Sequence, residues 1–95
     1  MAIKIMVQTT ENTDTNGQIT SLTVTLQGSY ETETGPVTSE VTQTYTFTEP
    51  KTEVAADEKR KIIAGILKDN VNNIISDIKT QTGLDNLGET IIIMQ

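Results

Sequence analysis

Apolar and polar side chains alternate with a period of two in three places along the chain, and each alternation predicts a strand with one buried face. Ile3, Ile5 and Val7 alternate with Lys4, Met6 and Gln8, giving a first strand over about 2–8. Leu22, Val24 and Leu26 alternate with Ser21, Thr23 and Thr25, giving a second over about 19–30. Val37, Val41, Tyr45 and Phe47 oppose Thr38, Glu40, Thr42, Thr44, Thr46 and Thr48, giving a third over about 37–48. The β-branched Thr residues suit the open face of a pleated sheet. Asn16-Gly17 marks a reversal between the first two strands. Between the second and third, the polar tip from Ser29 to Ser39 reads either as an ordinary exposed ribbon whose Glu31, Glu33 and Glu40 discourage edge pairing, the preferred reading, or as a protruding arm.

The period then changes. Ile62, Ile63, Ile66, Leu67, Val71, Ile74, Ile75 and Ile78 recur at three- and four-residue steps, which predicts one helix over about 53–81 with an apolar stripe against the sheet. Thr52 is the expected N-cap and Glu53 the first-turn acid. Gly83 is the expected left-handed terminator, with Leu84 supplying its apolar contact. Gly65, inside the helix, is expected to allow close backbone packing. The chain closes on Glu89-Thr90-Ile91-Ile92-Ile93-Met94-Gln95, a last strand over about 89–94 that is apolar on both faces. Such a strand is expected to be covered on both sides, parallel to the first strand after a right-handed crossover. The order β-β-β-α-β predicts an α+β two-layer sandwich, a mostly antiparallel sheet with the helix on one face. With 95 residues, one domain spanning 1–95 is expected.

Composition narrows the function. The chain has no Cys, no His and no Trp, so thiolate chemistry, the commonest general base and the best stacking side chain are missing. Ser21, Ser29, Ser39 and Ser76 have no His to activate them, and no Gly-rich phosphate loop is present. No catalytic residue and no cofactor is expected, and the reading is not an enzyme. The net charge of −6 opposes binding to nucleic acid. Lys59-Arg60-Lys61, beside Asp57 and Glu58, reads as a solvated helix face. No run is long enough to span a membrane, and the first residues lack the pattern of a signal peptide.

One loop needs weighing. Asn12-x-Asp14-x-Asn16-Gly17-x-Ile19 resembles the first half of an EF-hand calcium loop, making Asn12, Asp14 and Asn16 candidate ligands. The bidentate Glu of that family is replaced by Thr23, and the same letters serve a hairpin turn, which is the preferred reading.

Surface contact remains as the mechanism. Tyr30, Glu31, Glu33, Val37, Ile92 and Met94 are the interface candidates, Tyr30 because an aromatic near a hairpin tip buries area at little entropic cost. Tyr45 and Phe47 are assigned to the core. A short, Thr-rich chain without Cys or His, with a polar β-arm and an apolar Ile91-Ile92-Ile93-Met94 end, resembles in style the small structural proteins of tailed-phage virions. That resemblance implies a capsid-decoration, head-completion or tail subunit, located in the virion if the chain is phage-derived and in the cytoplasm otherwise. Its partners are then other protein subunits or further copies of itself, through strand pairing. The alternative is a small acidic inhibitor or adaptor that occupies a basic surface of a host protein.

Overall fold

The computed structural model describes residues 2–95. Strands β1 (Ala2–Thr13), β2 (Ile19–Thr32) and β3 (Gly35–Lys51) are followed by helix α1 (Ala56–Thr82) and strand β4 (Glu89–Met94). The expected β-β-β-α-β order is therefore the observed one. One four-stranded sheet has the order β3-β2-β1-β4, antiparallel except for the parallel β1–β4 pair.

All three early strands run further than their apolar alternation. Beyond Val7, the polar residues Gln8 to Asn12 pair in register with Thr25 to Ser21, so neighbour pairing carries the strand where hydrophobicity stops. The β2–β3 hairpin closes through Glu33 and Thr34, with Thr32 opposite Gly35. The Thr32 hydroxyl reaches the Gly35 carbonyl at 2.7 Å. The turn after β1 is organised by Asp14. Gly17 takes φ 79° there, as the Asn-Gly pair predicts.

One face of the sheet carries the core. Ile3, Ile5 and Val7 from β1 and Leu22, Val24, Leu26 and Tyr30 from β2 are buried, covered by Ile63, Ile66, Ile74 and Ile78 of α1 and by Leu87. The helix lies over β2 and β3. Asn70 donates to the Gln43 side chain at 2.8 Å, and Gln81 donates to the Thr38 carbonyl at 3.1 Å. The helix has 27 residues. At the usual helical rise that makes it about 40 Å long, enough to reach the hairpin. The hairpin is thus not a free arm: the last helical turn backs it, and Tyr30 and Val37 pack inward.

Local expectations fare unevenly. Gly83 ends α1 at φ 73°, its N–H donating to the Lys79 carbonyl at 2.8 Å. Its expected apolar companion Leu84 is exposed, and Leu87 is the buried residue that seals this end. The N-cap is Ala55, without a side-chain bond, because β3 runs on to Lys51 and leaves Thr52 and Glu53 in the connection. Gly65 contacts nothing at its Cβ position; the close approach is at Gly28, beneath Ile74 and Ile78.

The opposite face is a polar carpet. Asn12, Ser21 and Thr46 form one cross-strand row, Thr10, Thr23 and Thr44 the next, and Gln8, Thr25 and Thr42 a third. The hydroxyls of Thr23 and Thr44 lie 3.4 Å apart, and those of Thr25 and Thr42 lie 3.2 Å apart. Such small cross-strand contacts stabilise an open sheet face.

Candidate interaction edge

A sheet of order β3-β2-β1-β4 has two free edges, β3 and β4. A free edge presents unpaired main-chain N–H and C=O groups that template another strand unless side chains block it. The two edges differ sharply in that respect. β3 carries Pro36, Glu40, Glu49 and Pro50, prolines that cannot donate and carboxylates that repel. β4 carries one charge, Glu89 at its start, and then Thr90, Ile91, Ile92, Ile93 and Met94.

The sequence pattern predicts cover on both faces of this apolar strand, and the structure leaves it open. Ile91 is 39% exposed, Ile92 41% and Met94 52%. The physical reason lies in the placement of α1: by lying over β2 and β3 it covers the β3 side of the sheet and stops short of β4. On the helix side an open groove of about 570 Å³ runs between Thr90 and Ile92 and the helix flank of Ala64, Leu67, Lys68 and Val71. On the other side Ile91 and Ile93 stand beside Lys4 and Met6 of β1.

Main-chain direction along β4 follows from its last ladder bond. The Gln95 N–H donates to the Val7 carbonyl at 3.0 Å, so Gln95 faces β1. Main-chain groups alternate sides along a strand, so Ile93 and Ile91 face β1 too, whereas Thr90, Ile92 and Met94 turn their N–H and C=O outward. Gln95 is fixed further by its side chain, whose oxygen accepts from the Gln8 amide at 3.0 Å.

The six interface candidates fall into separate groups. Ile92 and Met94 lie together on the β4 edge. Tyr30 is 6% exposed and belongs to the core, because its strand parity points it under the last turns of α1; Val37, its cross-strand partner, is half-buried beside it. Glu31 near the end of β2 and Glu33 in the turn before β3 sit exposed and apart from the β4 edge. The aromatics assigned to the core are the ones that reach solvent. Tyr45 is 47% exposed, on β3 across an open space from Ile62, Gly65 and Ile66 of α1, and packs edge-on against Phe47 at 5.4 Å between ring centroids. The Lys51 ammonium lies 5.3 Å from the Phe47 ring centroid, within the range of a cation–π contact. It also lies 3.2 Å from the Glu58 carboxylate, tying the end of β3 to the first helical turn.

Two of the three candidate calcium ligands, Asp14 and Asn12, hold side-chain hydrogen bonds within the protein, and Asn16 takes part through its main-chain N–H. One oxygen of Asp14 accepts from the main-chain N–H of Asn16 at 2.9 Å and of Gln18 at 3.0 Å. Asn12 donates to Ser21 at 3.0 Å and Thr23 at 2.8 Å on the polar face. Among the described residues no cluster of three or more acidic, His or Cys side chains is placed to hold a metal. No helix among them is long and apolar enough to cross a membrane.

Sequence reasoning named Ile92 and Met94 as contact residues but not the exposed Ile91 or the half-buried Ile93, Leu67 and Val71 around them. The signal was present: a strand uncharged after Glu89, following a helix whose apolar stripe is wider than a single row, leaves part of that stripe unpartnered. Comparison with protein-family models, with curated proteins and with solved structures finds no match.

Proposed function

We infer that this chain is a non-enzymatic structural or assembly subunit, of the kind that builds or decorates a virion, acting through its sheet edges. The observation that carries this reading is the β4 edge, a strand of exposed aliphatic residues with outward main-chain donors and acceptors and no blocking charge beyond Glu89. On the same sheet β3 has prolines and carboxylates at positions 36, 40, 49 and 50, flanking its central run, and β4 has none after Glu89. The chain tolerates pairing on one side and discourages it on the other.

The test is sedimentation of lysate from the producing cells through a density gradient, with the chain quantified by mass spectrometry. Assembly predicts the chain in fast-sedimenting particles at a fixed, repeated copy number. Recovery only in light fractions, together with capture by a basic protein that weakens as salt rises, would overturn this reading in favour of the acidic inhibitor.

A further inference from the structure

We propose that β4 is the seat of a two-fold contact with a second copy of this chain, the two β4 strands pairing antiparallel about Ile92. This rests on the assembly reading and names its partner.

Three observations select that occupant and that register. First, the outward main-chain groups belong to Thr90, Ile92 and Met94. In an antiparallel pair, residues directly opposite exchange both bonds only when each turns its main chain toward the other. Centring the two-fold on Ile92 sets Ile92 against its own copy, Thr90 against Met94 of the second copy and Met94 against Thr90. Every outward group on the strand is then used. Centring on Ile91 or Ile93 leaves one of the three unpaired on each side.

Second, the same register matches side chains. Ile92 meets Ile92 on the helix side, and Ile91 meets Ile93 on the other. Glu89 falls opposite Gln95 of the second copy, whose amide oxygen already accepts from Gln8, leaving its amide nitrogen to donate to the carboxylate. A register centred on Ile91 would set Glu89 against Ile93.

Third, charge is distributed to permit it. Glu40 and Glu49 lie on β3, the far edge of the sheet, Glu33 in the turn before it and Glu31 on β2, so two chains of net charge −6 meet away from these four carboxylates. Lys4 on the neighbouring strand and Lys68 on the helix flank accompany the single Glu89. The product is a continuous eight-stranded sheet, two copies of the four-stranded one, with both helices on the same face.

Light scattering over a dilution series at low and high salt reads the contact directly. The expected result is a mass that rises from 10.4 kDa toward twice that value, with little dependence on salt. Ile92→Pro removes an outward N–H while sparing the β1 ladder, a place where an edge strand accepts proline, and is expected to abolish the dimer. Since that variant can also disturb folding, oxidation of single-Cys variants provides a second reading in a chain that has no other Cys. At the two-fold, Cα atoms about 5.5 Å apart fit a disulfide, so Ile92→Cys is expected to cross-link at least tenfold faster than Glu89→Cys. A strict monomer at every concentration overturns the proposal, as does a dimer in which the two Cys variants cross-link alike. A monomer found in particles sinks this contact and spares the assembly reading; a dimer absent from particles does the reverse.

Discussion

The Cγ2 methyl of Ile74 occupies the space that a side chain at position 28 would fill, and Ile78 closes the same space from the next turn of α1. Gly28 is therefore the point at which the helix sits down on β2, and its lack of a Cβ sets how deeply Ile74 and Ile78 are buried. Ile74 is a β-branched side chain with little rotamer freedom in a helix, so it cannot swing aside. Gly28→Ala is expected to lose about 1–3 kcal/mol of stability by overpacking. Ile74→Ala on its own leaves a cavity and costs about 2–5 kcal/mol. In the double variant the new methyl enters that cavity, so the combined loss in urea unfolding should be smaller than the sum; additive losses would mean that the two sites do not touch.

Gly65 behaves in the opposite way. It lies inside α1 with helical neighbours on both sides and open space at its Cβ position. Nothing there requires glycine, and the conformational freedom it brings to the unfolded chain is a cost without a compensating contact. Gly65→Ala is expected to stabilise the protein by about 1 kcal/mol. For a domain of this size that corresponds to a rise of about 4–8 °C in the melting temperature. An unchanged or lowered melting temperature would show that the space beside Gly65, between α1 and Tyr45, is needed by the fold.

The contrast between these two glycines shows what the sequence makes legible. Periods of two and of three to four residues locate every element, and the parallel pairing of β4 with β1 follows from an apolar strand reached through a helix. Strand ends are less visible, since Gln8 to Asn12 join the sheet by pairing and not by hydrophobicity. The offset of the helix is invisible. Nothing in the local pattern says that α1 lies over β2 and β3, and that one fact buries Tyr30, frees β4 and moves the close approach from Gly65 to Gly28. Of the candidate surface, Ile92 and Met94 are readable from composition alone. The outward set Thr90, Ile92 and Met94 needs the Gln95–Val7 bond to be identified.

The two tyrosines give a direct check on that offset. Tyr30 is enclosed near Val37 and the end of α1. Tyr30→Ala is therefore expected to cost about 3–5 kcal/mol, in the range of buried aromatic truncations. Tyr45 meets Phe47 along one edge, borders the open space beside Gly65 and is about half exposed. Tyr45→Ala should cost about 1 kcal/mol or less. Denaturant midpoints of the two variants, measured side by side, decide the matter. Equal losses would place the helix further toward β3 than its contacts with Gln43 and Thr38 indicate.

Asp14 distinguishes a turn-forming role from a cation-binding one in the loop after β1. Its carboxylate accepts two main-chain N–H groups, and its own N–H and C=O bond Gln18 and Gly17. Four interactions of one residue hold the reversal that sets the β1–β2 register, including the irregularity at Asn12 and Thr13. Asp14→Ala strips away the two accepted bonds and is expected to cost about 1–2 kcal/mol, whereas Asp14→Asn keeps an acceptor oxygen and should cost roughly half as much. Because that oxygen is already committed to the turn, the melting temperature of the parent chain should be the same in millimolar calcium as in chelator. A calcium-dependent rise that disappears in Asp14→Asn would instead make the loop a cation site that rearranges on binding, with ligand stabilisation increasing with the logarithm of calcium concentration.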